Sequence, residues 1–270
     1  MDRPFSKMNG LGNDFIVVDA RSRAFEADPE TIRRLASRSE GIGCDQFVLI
    51  GASESADASI RFWNPDGVEA GACGNATRCV AWRLMEESGA GQVSLETAGG
   101  RLEAWRRGPM RVAVDMGRPR LNWRAVPLAG PADTLAVDVP EAGRLGPAIC
   151  LSMGNPHAVF FVPSAEAAEV GRIGPAVEAS PLFPERVNVG FAEVRSRSEV
   201  RLRVWERAAG LTRACGSGAC AALVAGVRRG LVDPEARLEL DGGDLEIAWR
   251  ADGHVLMTGD VEVEFEGRLP

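Results

Sequence analysis

Alternating apolar and polar positions recur along the chain and predict many short strands. Ile60 and Phe62 alternate with polar neighbours, as do the apolar residues of 200–204, and this two-residue period is typical of half-buried β-strands. Segments with helical spacing occur in "NATRCVAWRLMEES" and "GACAALVAGVRRG", and "DPE" at 28–30 is a helix-start signal. The pattern predicts a mixed α/β chain that is rich in strands and has few helices.

A single offset of 142 positions aligns separate parts of the chain. The matched pairs are Gly12-Asn13 with Gly154-Asn155, Gln46 with Asn188, Arg61 and Trp63 with Arg203 and Trp205, and Cys73-Gly74 with Cys215-Gly216. Four patches at one offset indicate a tandem duplication rather than a chance match. We therefore predict two pseudo-symmetric domains, 1–118 and 119–260, divided within the proline-rich region 117–131.

Composition narrows the class of protein. With 45% hydrophobic and 26% charged residues, the chain has the composition of an ordinary globular protein, and no apolar run approaches the ~20 residues of a transmembrane helix. The start, "MDRPFSKMNG", lacks the apolar core of a secretory signal, so we expect a cytoplasmic protein with six reduced cysteines. The net charge of −7 argues against a nucleic-acid partner.

Two cysteines begin predicted helices, one in each half. Backbone N–H groups at a helix N-terminus stabilise a thiolate and bind anions such as a carboxylate. If both helices faced one cleft between the domains, Cys73 and Cys215 could act on opposite faces of one carbon, as base and acid. The alternative interpretation of Cys73 and Cys215 is that each is a small, buried hydrophobic residue. We adopt that interpretation only for the other four cysteines, Cys44, Cys79, Cys150 and Cys220.

Metal and cofactor chemistry find little support in the sequence. The cysteine spacings leave no second Cys/His pair to complete a zinc site. Lys7 is the only lysine, so it is the sole candidate for a Schiff base with pyridoxal phosphate. These observations argue against zinc and against pyridoxal phosphate.

Polar residues beside the predicted strand ends fit an amino-acid substrate. The amides of Asn13, Gln46, Asn64, Asn155 and Asn188 offer donors and acceptors, and Glu206 and Arg207 offer opposite charges. The two halves differ at one informative position, where Asn64 of the first half corresponds to Glu206 of the second. A carboxylate there could hold an ammonium group and bias the proton affinity of the nearby sulfur. Each amide could instead be a turn or cap residue, and Glu206 and Arg207 an exposed ion pair.

The chain resembles the diaminopimelate epimerase family in several motifs. These are "FSKMNGLGNDFIVVD", "GIGCDQ", "FWNPDGVEAGACGNATRC", "MGNPHAV", "FPERVNVGF" and "RVWERAAGLTRACGSGACAA". The resemblance implies two similar domains, each a barrel-like sheet around a central helix, with the active site between them. It also implies reversible, cofactor-free conversion of LL-2,6-diaminoheptanedioate to its meso isomer in lysine and cell-wall precursor synthesis, and a last strand near 261–270 that returns to the first domain.

The resemblance assigns roles residue by residue. Cys73 matches the proton donor and Cys215 the acceptor in the LL-to-meso direction, and His157 and Glu206 match residues that tune the two sulfurs. Substrate contacts are implied for Asn13, Gln46, Asn64, Gly74, Asn75, Asn155, Asn188, Glu206, Arg207, Gly216 and Ser217. His157 alone could equally be structural. Asn9, where many members have His, and Trp205, where Tyr is common, depart from the family pattern.

Three alternative functions are consistent with part of the sequence evidence. A proline or hydroxyproline racemase-like enzyme would share the fold, a fold relative could isomerise without two thiols, and a non-catalytic relative could bind an amino acid. The pair Cys73 and Cys215 argues against the second rival, and the charged residues Glu206 and Arg207 favour a substrate with a second charged end over proline. We expect a small-molecule substrate and no membrane partner, and the sequence leaves a homodimer open.

Overall fold

The computed structural model describes residues 3–71 and 73–270; Ala72, from the first "ACG" stretch, lies outside them. The chain forms two compact units. Unit 1 comprises the residues up to Asp115 together with Thr258–Pro270, and unit 2 comprises Met116–Met257. The domain boundaries predicted from the sequence, 118 and 260, describe the duplicated segments and stay predictions.

Unit 1 carries its elements in the following order. They are β1 (Arg3–Gly10), β2 (Asn13–Asp19), α1 (Pro29–Ala36), β3 (Gln46–Gly51), β4 (Ala58–Trp63), β5 (Glu69–Ala70), α2 (Gly74–Ser88), β6 (Gln92–Thr97), β7 (Gly100–Gly108), β8 (Arg111–Asp115) and, from the end of the chain, β17 (Glu262–Leu269). Strand β2 pairs with β1 antiparallel and with β3 parallel, while β4 pairs with β3 antiparallel and with β6 parallel. β17 adds to the outer side of β1, antiparallel to it.

Unit 2 repeats this order. Its elements are β9 (Ile149–Ser152), β10 (Pro156–Phe161), α3 (Val170–Glu178), β11 (Asn188–Ser196), β12 (Glu199–Glu206), β13 (Gly210–Thr212), α4 (Gly216–Arg228), β14 (Glu235–Leu240) and β15 (Gly243–Trp249), with β16 (Val255–Asp260) carrying the chain back into unit 1. A 3₁₀ turn, Pro140–Ala142, precedes β9.

The strand register repeats as well as the order. Phe15 lies opposite Gln46 in the parallel pair β2–β3, and His157 lies opposite Asn188 in the parallel pair β10–β11. Each pair of numbers differs from the other by the offset of 142 found in the sequence. The internal repeat and the strand-rich α/β class are therefore confirmed.

A buried helix stands against several strands in each unit. Helix α2 contacts β1, β2, β6, β7 and β8, and α4 contacts β9, β10, β11, β12, β14 and β15. Residues Gly218–Gly226 of α4 are all buried, as expected for a helix that is apolar on all sides. Among the described residues, no helix has the length and the apolar character needed to cross a membrane.

Candidate active site

Both predicted cysteines are the N-cap residues of the central helices. Cys73 has an extended backbone (φ −151°, ψ 106°) before α2, and Cys215 (φ −122°, ψ 103°) occupies the same place before α4. The N–H of Ala76 donates to the sulfur of Cys73 at 3.4 Å, whereas the sulfur of Cys215 makes no cap hydrogen bond to the first turn of α4. The sulfur of Cys73 thus takes the place of a capping oxygen, and both cysteines stand at the positive end of a helix.

In unit 1, two asparagines contact Cys73 and each other. The Cys73 thiol faces the carbonyl oxygen of Asn13 at 3.8 Å, and the side-chain N–H of Asn75 donates to the same oxygen at 3.4 Å. Asn13 reaches this place because β1 and β2 are joined by Leu11 and Gly12, both in left-handed conformation (φ 60° and 78°). Such a two-residue turn gives a tight hairpin and brings the first residue of β2 to the helix start.

Gln46 and Asn64 form a second polar pair in unit 1. The side-chain amide of Gln46 donates to Asn64 Oδ1 at 3.0 Å. Gln46 begins β3 and Asn64 follows β4, which are adjacent antiparallel strands. Gln46 Oε1 is buried and has no hydrogen-bond partner among the described residues, so a ligand donor would find an acceptor there.

In unit 2, a chain of hydrogen bonds leads from His157 to Cys215. His157 Nε2 lies 2.9 Å from Asn155 Oδ1, and Asn155 Nδ2 donates to Ser217 Oγ at 3.1 Å. The hydroxyl of Ser217 lies 3.7 Å from the sulfur of Cys215. Burial, with a smaller contribution from the Arg207 cation, lowers the pKa of His157 to about 3, so the neutral ring donates from Nε2 and fixes the orientation of the Asn155 amide.

The carboxyl of Glu206 lies close enough to Cys215 for each group to affect the pKa of the other. Burial raises the pKa of Glu206, and the hydroxyl of Thr212 donates to its Oε1 at 2.5 Å. Burial and the Glu206 charge raise the pKa of Cys215 well above its usual range, although the Gly218 N–H and the Ser217 hydroxyl oppose them. The predicted effect of the helix end, which favours the thiolate, is therefore outweighed, and burial favours the protonated form of Cys215.

Asn188 and Arg207 are held mainly by backbone groups. Asn188 is buried, donates to the carbonyl of Pro156 at 2.9 Å and accepts from the N–H of Arg207 at 3.0 Å. The Arg207 guanidinium donates to the carbonyl of Glu185 at 3.0 Å. The side chains of Glu206 and Arg207 thus have different partners, and the interpretation of an isolated surface ion pair between them is not supported.

The predicted residues therefore gather in two groups. Unit 1 brings together Asn13, Cys73, Gly74 and Asn75, with Gln46 bonded to Asn64, and unit 2 brings together Asn155, His157, Glu206, Cys215, Gly216 and Ser217, with Asn188 bonded to the Arg207 backbone. Sequence reasoning missed Asp45, which binds Asn13, and Thr212, which binds Glu206. Asp45 could have been found because it stands next to Gln46 in the sequence. Nothing in the sequence singled out Thr212.

Metal ligands are not assembled in either group. Over residues 3–71 and 73–270, no three or more His, Cys, Asp or Glu side chains are grouped so that they could hold a metal ion. The four cysteines assigned to the core, Cys44, Cys79, Cys150 and Cys220, are all buried. Burial raises the pKa of Cys44, Cys79 and Cys150 to about 12, so these three remain unreactive thiols at neutral pH.

Comparison with known proteins places these features in one family. The family model for diaminopimelate epimerase matches residues 5–122 and 149–264. A curated relative from Phenylobacterium zucineum (strain HLK1), named diaminopimelate epimerase, is 58% identical over 100% of this chain and 99% of its own length. The resemblance inferred from the motifs is thereby confirmed.

Solved structures with lower identity share the fold. A phenazine biosynthesis protein of the PhzF family from Enterococcus faecalis superposes with a TM-score of 0.74 at 15% identity, covering 100% of both chains. A hydroxyproline epimerase from Agrobacterium vitis superposes with a TM-score of 0.69 at 16% identity, covering 100% of this chain and 94% of its own. At such identity the likeness establishes the fold only, whereas the family model and the full-length relative show that the chain belongs to the diaminopimelate epimerase family.

Proposed function

We propose that the chain interconverts LL-2,6-diaminoheptanedioate and meso-2,6-diaminoheptanedioate, with Cys73 and Cys215 as the two catalytic residues. The observation that carries this proposal is the repeated cysteine N-cap. Each repeat supplies one sulfur at a helix start, and an inversion at carbon needs one base and one acid on opposite faces. The family membership supplies the substrate.

Each proton transfer of the proposed reaction can be assigned to Glu206, Cys215 or Cys73. In the LL-to-meso direction, Glu206 takes the proton of Cys215 and leaves a thiolate, which removes the α-proton of the substrate. The electron pair left on the carbon delocalises into the adjacent carboxylate, and the Cys73 thiol donates its proton to the other face. Cys73 is then the thiolate, while Cys215 and Glu206 each carry a proton, and this is the starting state of the reverse reaction. Transfer of the Glu206 proton to Cys73 through solvent restores the starting state of the forward reaction.

The helix starts supply the electrostatic part of the mechanism. The first helical residues, Gly74 and Asn75 in one unit and Gly216 and Ser217 in the other, present backbone N–H groups that an anion can use. We propose that they hold the reacting carboxylate, whose negative charge grows as the proton leaves. Neutral His157 contributes by holding Asn155, and through it Ser217, in one orientation.

The remaining polar residues are proposed to recognise the substrate. Gln46 Oε1 is a buried acceptor to which an ammonium group can donate, and Asn64 and Arg207 offer further polar contacts. A residue set with both amides and a cation suits a molecule with two amino-acid ends better than it suits proline. Cofactors are not part of this scheme, and a small-molecule substrate is its only partner.

The first experiment follows deuterium. Purified protein in deuterated water, without added cofactor, is given LL-diaminopimelate or proline, and α-deuterium is measured by mass spectrometry. Incorporation into diaminopimelate but not into proline supports the proposal. Exchange into proline alone would assign the activity of the racemase-like rival.

The second experiment removes the sulfurs one at a time. Cys73→Ala and Cys215→Ala should each reduce epimerisation by about a thousandfold or more, since one acid or base is lost. Cys220→Ala is the matched control, because this buried cysteine lies on α4 only five residues after Cys215, and it should keep near wild-type turnover. Wild-type turnover in either active-site variant would refute the two-base scheme.

We also propose that the protein works in the cytoplasm, in the biosynthesis of lysine and cell-wall precursors. A homodimer remains a prediction from the sequence. Sedimentation of the purified chain at several concentrations tests it directly, since a stable dimer keeps twice the mass of 28.8 kDa on dilution.

A further inference from the structure

We propose that Asp45 is a positioning residue that turns the Asn13 amide so that its carbonyl oxygen faces Cys73, and thereby holds Cys73 in its protonated form. This inference rests on the proposed function, in which the Cys73 thiol is the acid of the LL-to-meso direction. It adds a residue that touches neither sulfur but decides which atom of Asn13 the sulfur meets.

The orientation of the Asn13 amide follows from its contact with Asp45. Asn13 Nδ2 donates to Asp45 Oδ2 at 3.0 Å, and the N–H of Asp14 donates to the same oxygen at 3.1 Å. A carboxylate oxygen only accepts hydrogen bonds, so the Asn13 nitrogen must point to Asp45 and the Asn13 oxygen must point away from it. That oxygen is the atom at 3.8 Å from the Cys73 sulfur.

Asp45 is itself fixed by an ion-pair network. Arg38 binds Asp45 Oδ1 at 2.7 Å and Asp14 Oδ1 at 2.8 Å. The buried ammonium of Lys7, the only lysine, binds Asp14 Oδ2 at 2.5 Å. Burial alone would raise the pKa of Asp14, but the hydrogen bonds from Arg38 and Lys7 lower it far below its usual range. The network keeps Asp14 charged and holds Asp45 where its contact leaves the Asn13 amide one orientation.

A carbonyl oxygen facing a thiol favours the protonated sulfur. The S–H donates to the oxygen, whereas a thiolate would meet the negative end of the amide dipole, so the contact raises the proton affinity of the sulfur. Further charged and titratable groups near this corner are Lys7, Asp14 and Arg38 in the network of Asp45, and Arg78 and Cys79 on α2 itself. Among these, Asp45 is the one that sets the direction of the Asn13 dipole.

The second repeat supports this interpretation because a different residue orients the matching asparagine there. The offset of 142 places Val187 where unit 1 has Asp45, and His157 where unit 1 has Phe15. In unit 2 the neutral His157 ring donates to the oxygen of Asn155, so this amide turns its nitrogen toward Ser217. The two homologous asparagines thus present opposite ends of their amides to the two helix starts.

The test measures the titration of Cys73 in the variant Asp45→Asn. An amide at position 45 can donate to Asn13 Oδ1, which frees Asn13 to turn its N–H toward the sulfur and stabilise the thiolate. We expect the pKa of Cys73 to fall by about one unit, and its alkylation rate below that pKa to rise about tenfold. The rate of iodoacetamide labelling is followed against pH by mass spectrometry of the Cys73 peptide.

Controls separate orientation from charge and from folding. Asp57→Asn removes the same charge from a carboxylate in unit 1 that binds Ser94 and should leave the Cys73 profile unchanged. Asp45→Ser serves as a second variant without the carboxylate and should shift the profile in the same direction. Raising the salt to about 0.5 M screens long-range charge effects, so a shift due to orientation persists, whereas one that disappears with salt overturns the proposal.

Activity gives an independent readout. The alkaline limb of the kcat profile in the LL-to-meso direction reports the acid, so in Asp45→Asn it should move to lower pH by the same amount as the Cys73 labelling profile. Unchanged Cys73 labelling in folded Asp45→Asn and Asp45→Ser would overturn the role of Asp45 even if both enzymes remain active. Retained turnover in Cys73→Ala would instead overturn the proposed function, whatever the labelling shows.

Discussion

Replacing His157 by Phe tests whether a neutral buried imidazole orders the Cys215 side of the site. Phe is the residue at the matching position of unit 1, Phe15, so the backbone register of this fold accepts it. His157 is 1% exposed, and burial followed by the Arg207 charge lowers its pKa from 6.5 to about 3. Removing it leaves Asn155 Oδ1 without this donor, which costs about 1–3 kcal/mol of unfolding free energy at neutral pH.

The pH dependence of this cost has a definite sign. Below pH 6.5 the unfolded chain binds a proton on His157 that the folded chain does not bind until about pH 3. The wild type therefore loses stability as pH falls through this window, and at pH 5.0 the loss is about 2 kcal/mol, from about 1.5 pH units at ~1.36 kcal/mol each. The variant His157→Phe lacks this contribution.

Urea unfolding at about pH 7.5 and pH 5.0 measures both effects. The free energy of unfolding of the wild type minus that of His157→Phe should decrease by about 2 kcal/mol between the two pH values. All other titrating groups are common to both proteins and cancel in this difference. A difference that is the same at both pH values would show that His157 titrates alike in the folded and unfolded chains, and the reasoning about its neutral tautomer would be refuted.

Two further substitutions test the surroundings of the unit 2 site. Glu206→Gln removes the charge that helps to raise the pKa of Cys215, so labelling of Cys215 by iodoacetamide should begin at lower pH; an unchanged labelling profile would contradict the coupling of the two groups. Gly174→Ala places a Cβ 2.5 Å from the Cγ of Trp205, so the free energy of unfolding measured in urea should fall by about 1–3 kcal/mol. Gly171→Ala is the control in the same helix, because a Cβ there meets nothing within 4 Å, and it should show no such loss.

Sequence reasoning found the two cysteines because two signals coincided there. The offset of 142 paired Cys73 with Cys215, and the apolar runs after them predicted helices that begin next to each sulfur. The structure gives both residues the N-cap position. Local periodicity and an internal repeat are properties of the sequence alone, so this part of the site could be predicted without knowing how the strands pair.

The polar partners were less predictable because they depend on strand pairing. Asp45 meets Asn13 through the parallel pair β2–β3, whose strands are separated by α1 in the chain. Thr212 meets Glu206 across the short pair β12–β13. The link from His157 to Asn155 was within reach, since Asn155 immediately precedes β10 and the two residues are only two positions apart in the chain. Burial of Cys215, which outweighs the helix end, depends on packing that no local pattern reveals.

The divergence of the two repeats has a physical reason on the proposed mechanism. Two independent sulfurs with identical surroundings would have equal pKa values, so each of the two arrangements with one thiol and one thiolate would hold at most about one quarter of the molecules. Moving the two pKa values apart makes one arrangement dominant over a range of pH. Asp45 with Asn13 in one repeat, and His157 with Asn155 in the other, change the polar partners of the sulfurs while the strand register stays the same. Duplication supplies the two sulfurs, and these few substitutions give them different hydrogen-bond partners, so that their pKa values need not be equal.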